Sequence, residues 1–318
     1  MQSVNRSQLA AFLTGTLGVV ACFSTPARAN LTIVPTFDSS ITGNVNAVAM
    51  QAAVNAAIAQ VEVAVLNPIT VNITFKSVSS GLGASTTFIN TLSYSQYHAD
   101  LQNNQTLSTS DNSALATLPA GSANPVNGNT GVTLTLPLLR AIGESALGNN
   151  GGGADCTISL NTAIMNLART GVQNPAHYDM QSVASHEIDE ALGVGGPGSE
   201  LGRATTDIGP LDLFRYTATG VRSYTTSSSA TSYFSINGGV TNLSGFNQSS
   251  SGDYADWLSS ATPQVQDAFG TPGSQPNLGN SEITALDVVG YNVVPVPEPV
   301  SCGILTFIAA GLLRRRRA

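Results

Sequence analysis

The spacing of apolar positions changes twice between residues 30 and 80. Leu31 to Phe37 is an apolar, β-branched stretch that predicts a strand. From Asn44 to Leu66 the period becomes helical, with Val45, Val48, Ala52, Ala56, Ala59, Val63 and Leu66 at spacings of three and four until Asn67-Pro68 ends the run. Ile69 to Val78 then alternates β-branched and aromatic residues with polar ones, a second strand. This strand–helix–strand opening is compatible with a βαβ crossover.

Gly81 to Ser85 breaks the pattern, and Asn103 to Gly131, rich in Asn, Ser, Thr, Gly and Pro, reads as a loop or insertion. Val132 to Gly143 suits a short strand running into a helix. Asn149 to Gly153 is a turn leading to Cys156–Ile164, expected as an edge strand. Tyr178 to Leu192 is the next convincing helix. Its apolar stripe is Met180, Val183, Ala184, Ile188, Ala191 and Leu192, and Gly193 ends it. Beyond it the chain turns to Gly/Ser/Thr-rich segments, with a hairpin signal at Asn237-Gly238 inside Tyr233–Val240 and a last helix at Ser281–Tyr291. The pattern predicts an α+β domain over residues 30–294, with a long helix, a site-bearing helix and a Gly/Ser/Thr-rich β/loop C-terminal part.

Both ends read as addresses. Residues 1–29 have the form of a signal peptide, with Arg6, an apolar run from Leu9 to Phe23 and the small-x-small pattern Ala27-Arg28-Ala29. Residues 295–318 contain Pro297-Glu298-Pro299, an apolar run from Val300 to Leu313 and Arg314 to Arg317. That order of parts resembles the PEP-CTERM sorting signal of Gram-negative bacteria. The resemblance implies transient membrane insertion through the C-terminal segment, processing by signal peptidase and an exosortase-type enzyme, and a place at the cell envelope or outside the cell. A permanent tail anchor predicts the same topology.

Composition is in keeping with export. Outside the two terminal segments there are 6 basic and 18 acidic residues, a net charge of −12. Such a balance excludes nucleic acid as the expected partner, since that binding depends on Lys and Arg contacts to phosphate. It also argues against an anionic membrane surface for the folded part. Of 3 cysteines, Cys156 is the one between the terminal segments, so no internal disulfide is expected and a small buried hydrophobe is the simplest role for it.

The chemistry concentrates in His186-Glu187-Ile188-Asp189-Glu190. On a helix, His186 and Glu190 lie one turn apart on one face with Glu187 beside them. An imidazole nitrogen and a carboxylate oxygen so placed can reach one divalent ion at about 2.0–2.2 Å. A third ligand must come from elsewhere. Glu200, Asp207 and Asp212 follow the helix, and Asp212 is favoured because its apolar neighbours in Gly209–Tyr216 imply a fixed, partly buried carboxylate; an ion pair with Arg215 or a turn role is the equal alternative. Asp253 and Asp256, in a Ser/Gly-rich loop, are candidate calcium ligands without an EF-hand spacing. Tyr216 and Tyr224 are either oxyanion stabilisers or packing residues.

The segment Tyr178–Glu187 followed by Ala191-Leu192-Gly193 resembles the active-site helix of matrixin-like metzincins, whose motif is His-Glu-x-x-His-x-x-Gly-x-x-His. The chain is also similar to a set of PEP-CTERM proteins with a His-Glu-Ile-Asp-Glu helix that are grouped with metalloproteases. The resemblance implies a zincin-like mixed sheet, zinc as cofactor, a peptide or protein as substrate, and hydrolysis through a metal-bound water with Glu187 as general base. His186, Glu190 and Asp212 would be the metal ligands. The chain departs from the pattern at Glu190 and Gly196, where the family has histidines, and it has no methionine after the helix. A ligand set with two carboxylates acidifies water less than three neutral histidines, so an active site of this kind would be slower and more alkaline in its optimum. The alternative is a non-catalytic surface or matrix protein that keeps the scaffold.

Overall fold

The computed structural model describes residues 30–104 and 107–295. The expected signal peptide at 1–29 and the expected sorting tail from 296 onward lie outside the described residues. The architecture is α+β. Its first half runs β1 (Thr32–Phe37), α1 (Ser39–Thr42), α2 (Ala47–Ala64), β2 (Thr70–Ser77), β3 (Gly83–Thr87), β4 (Ile89–Ser93), α3 (Tyr94–Asn104), α4 (Thr109–Leu115), β5 (Gly131–Thr135), α5 (Leu136–Ala141) and β6 (Cys156–Leu160). Two short strands, β7 (Met165–Asn166) and β8 (Tyr178–Asp179), lead into α6 (Met180–Leu192). After it come β9 (Arg215–Ala218), β10 (Val221–Arg222), β11 (Tyr233–Phe234), β12 (Ser244–Gly245) and α7 (Asn280–Val289).

The main sheet has the order β1-β2-β6-β3. The first three strands are parallel and β3 is antiparallel to β6, with Ser85 opposite Ile158. Alternation decides which face is covered. Val71, Ile73 and Phe75 of β2 and Cys156, Ile158 and Leu160 of β6 are buried, whereas Asn72, Thr74, Thr157 and Ser159 between them are partly open. Helices α2 and α6 pack against each other, and α6 also lies on β3 and β6.

Several expectations needed correction. Cys156–Leu160 is an inner strand, because β3 pairs on its far side. The Gly81–Ser85 break lies largely within β3, which carries almost no apolar side chain and so gives no sequence signal. The supposed loop at 103–131 holds α4, started by a capping box between Ser108 and Asp111. In α2 the buried face is Met50, Val54, Ala57, Ile58 and Val61, while Val48 and Val63 are 85% and 69% exposed. The helix is apolar nearly all round, so its period has no unique phase, and the face with the larger Met50 and Ile58 turned inward.

Helix α6 agrees with its predicted stripe: all six apolar residues are buried. Asp179 caps its start by accepting from the Ser182 N–H at 2.9 Å, and Arg169 holds that carboxylate at 2.6 Å. Gly193, at φ +95°, ends it in the left-handed region, with its N–H on the carbonyls of Asp189 and Glu190. Ile188, fully buried, fixes the helix to the core; truncation of such a side chain to Ala costs about 2–5 kcal/mol. The C-terminal part is organised by Phe214, Phe234, Phe246 and Trp257, with the Trp257 and Phe234 rings stacked at 5.5 Å.

Candidate metal centre and its cleft

Helix α6 presents His186, Glu187 and Glu190 to a cleft of about 470 Å³ between β3 and the segment 251–276. One wall is the inner row of β3. A side chain at Gly83 would come within 2.2 Å of the Glu187 carboxylate, and the Ser85 hydroxyl donates to Glu190 Oε2 at 2.6 Å. The strand thus has small inner residues because site carboxylates lie directly on it. Gly196 belongs to the same packing, with its N–H on Glu190 Oε1 at 3.1 Å and a Cβ there only 2.7 Å from that oxygen.

The opposite wall brings Asp256. Its carboxylate oxygen Oδ2 lies 3.8 Å from His186 Nε2, and Glu190 Oε1 lies 3.6 Å from the same nitrogen. Ligand atoms of His186, Glu190 and Asp256 all fall within 4.8 Å of one another. Donors bound at about 2.1 Å in a tetrahedron stand about 3.4 Å apart, so a modest contraction fits them to one ion. The imidazole is already oriented: Nδ1 lies 2.9 Å from the Val265 carbonyl, to which it donates, leaving Nε2 free to ligate. The donor set of one nitrogen and two carboxylates fits a divalent cation.

Asp256 is held from behind. Its neighbour Trp257 sits in the aromatic cluster and donates Nε1–H to Glu282 Oε1 at 3.1 Å, and the Gln266 N–H reaches the same oxygen at 3.2 Å. Trp257 and Gln266 are joined further by a backbone bond of 2.8 Å. The other oxygen of Glu282 accepts from the Gly279 N–H at 3.1 Å and caps α7. The ligand-bearing segment is therefore strapped to the first turn of the last helix.

Crowded carboxylates shift the acid–base balance. Burial opposes charge on His186, but Asp256, Glu190 and Glu187 outweigh it and hold the imidazole well above its usual value. Burial and the Glu190 charge push Glu187 well above the usual carboxyl range. Glu190 is lowered: burial works against its ionisation, and His186 and the Ser85 hydroxyl overcome it. Burial also raises Asp256. Glu187 Oε2 is buried without a hydrogen-bond partner among the described residues, in the lining of the cleft.

Asp212 has another task. Its carboxylate accepts from the Ser199 hydroxyl at 2.5 Å and from the N–H groups of Glu200 and Gly209 at 3.0 and 2.8 Å. It is buried, as its apolar neighbours implied, but its oxygens are spent on organising the chain after α6, and it is not in the group with His186 and Glu190. Arg215 makes no ion pair with Asp212: it donates to the carbonyls of Tyr254 and Asn247 and to Gln248 Oε1. Glu200 lies beside Arg203, and Asp207 accepts from the Thr91 hydroxyl. Tyr216 is buried under Arg222, and Tyr224 reaches toward the Asp207 carbonyl; neither lines the cleft. Asp253 lines the cleft, but the calcium pair is divided, since only Asp256 joins the ligand group. His98 is turned to the Leu118 carbonyl, and Cys156 is a free, buried thiol that accepts from Thr87.

The sequence pointed to α6 and named Asp256 only as a calcium candidate in a separate loop; it connected neither wall with the helix. Ser85 lies in a stretch without hydrophobic pattern. Asp256 is 66 residues beyond Glu190, and the cue to its fixed position is the adjacent Trp257, the chain's single tryptophan. Comparison with protein-family models, with curated proteins and with solved structures finds no match to this chain.

Proposed function

We propose that the protein is an exported metal-dependent peptidase with a zincin-like fold, in which His186, Glu190 and Asp256 hold the ion and Glu187 is the general base. The observation that carries this reading is the convergence of three ligand atoms within 4.8 Å on a cleft where Glu187 keeps an unpartnered oxygen. A bound divalent cation, zinc first among those to be tried, supplies a Lewis acid that polarises a scissile carbonyl and acidifies adjacent water. Glu187 accepts the proton of the attacking water and passes it to the leaving amine. Strand β3 supports a peptide substrate: it pairs with β6 on one edge, and its other edge carries no strand among the described residues, so an extended chain can add to it along the cleft. Glu190 and Asp256, rather than further histidines, still lead us to expect a slow enzyme with an alkaline optimum.

The test is to load the purified protein with Zn2+ and assay cleavage of a peptide mixture, with Glu187→Gln and His186→Ala beside the wild type. Glu187→Gln should keep stoichiometric metal and lose about 10²–10⁴-fold in rate. His186→Ala should lose the metal. A metal-loaded wild type that cleaves nothing would leave the scaffold as a non-catalytic surface protein.

A further inference from the structure

Gln266 sits where a fourth donor would. The residue is wholly buried, its carboxamide nitrogen is 3.0 Å from Asp256 Oδ1 and 3.3 Å from His186 Nε2, and its carboxamide oxygen is buried without a hydrogen-bond partner among the described residues. Gly195 makes the approach possible. A Cβ there would lie 2.1 Å from the Gln266 nitrogen and 3.0 Å from Asp256 Oδ1. The NH2 group donates to Asp256 Oδ1 and lies against His186 Nε2, so it stands between the two residues that a cation would join. It does so at the cost of its own orphaned oxygen.

That orientation is incompatible with an ion on Nε2, because the amide hydrogens would point at a positive charge. A half-turn about the last side-chain torsion exchanges nitrogen and oxygen and directs the oxygen to the same place. The 3.3 Å separation from Nε2 is then that of two donors on one ion, about 3.4 Å for bonds near 2.1 Å. We propose that Gln266 is a fourth protein ligand of the His186–Glu190–Asp256 centre, and that its carboxamide turns its oxygen onto a divalent cation when one binds. This rests on the reading that the centre takes a metal. The amide adds an oxygen without adding charge, which shifts the site from zinc toward oxygen-preferring ions such as Mn2+.

Calorimetric titration of the full chain with Mn2+ or Zn2+ alone tests it, on the wild type, Gln266→Met, Gln266→Glu and His186→Ala, with circular dichroism to confirm folding. Gln266→Met should weaken binding by about ten-fold or more. Gln266→Glu should bind more tightly than the wild type, since a carboxylate oxygen at the same place adds charge. If Gln266→Glu weakens binding as much as Gln266→Met, the amide acts only by donating to Asp256 and the proposal is wrong. Wild-type affinity in both variants overturns it as well. A metal-loaded wild-type structure decides independently of whether the Glu variant folds: a carboxamide oxygen at about 2.0–2.3 Å supports the assignment, and one beyond about 3 Å overturns it. If wild type and His186→Ala alike bind no metal, it is the underlying metal reading that fails, and this proposal with it.

Discussion

Gly195→Ala probes how tightly the centre is built. The residue has φ +85° and ψ −151°, a conformation open essentially to glycine, so any side chain there costs about 1–3 kcal/mol in backbone strain. A methyl group adds a collision, at 2.1 Å from the Gln266 nitrogen and 2.8 Å from its Cδ. Overpacking of a filled core costs about 1–3 kcal/mol. The sum is about 2–6 kcal/mol, a large part of the stability of an ordinary domain. Gly220→Ala is the control, because it has φ +73° but nothing within 4 Å of its Cβ. That variant should lose only the backbone part, about 1–2 kcal/mol. Urea denaturation at fixed pH gives both values, and metal titration gives a second readout. Gly195→Ala should be the less stable of the two and should bind metal more weakly, since Gln266 and Asp256 must move. Equal destabilisation in the two variants, with metal affinity untouched, would refute the close approach on which the site's geometry depends.

Three further outcomes follow. Asp256→Ala should abolish metal binding, whereas Asp212→Ala should keep it and destabilise the fold by about 1–3 kcal/mol through the unpaired N–H groups of Glu200 and Gly209; the opposite pattern in a metal titration would restore Asp212 as the ligand. Asp155→Ala should cost about 3–5 kcal/mol in denaturation experiments, because it strips a fully buried carboxylate from a two-bond pair with Arg140 at 2.9 and 2.7 Å. Asp287 is pushed up to about 7 by burial and by the charge of Asp111, against about 4 in an unfolded chain. The folded state holds this proton more tightly, so the stabilisation is complete below about pH 4 and is lost as the pH rises through about 7. Asp287→Asn should therefore gain on the wild type as the pH goes from about 5 to 8, and a thermal-melting series in which the gap narrows contradicts the assignment.

What was legible in the sequence follows from where the information lies. Helix α6 was readable because its stripe and its exit at Gly193 are local, although its start was expected at Tyr178 and the Asp179 cap sets it at Met180. Strand β1 was readable from its apolar, β-branched stretch and β2 from alternation, and with the helices they gave the α+β class. Strand β3 was not, since its inner residues are chosen to leave room for Glu187 and Glu190 and not to fill a core. Asp212 shows the other limit. Its burial was inferred correctly from its neighbours, but a buried carboxylate needs only some partner, and local N–H groups served. Asp256 and Gln266 reach the site by long-range packing, which no local pattern encodes.

The strap from Glu282 to Trp257 and Gln266 has a consequence for the order of events during synthesis. A chain made from its N-terminus has produced His186 and Glu190 almost a hundred residues before Glu282, the residue that fixes the opposite wall. Until α7 docks, His186 and Glu190 face a segment that has its aromatic packing but lacks the Glu282 strap. On the proposed metal reading, the centre is completed only when the C-terminal helix is in place, so a bound ion would report that folding is complete.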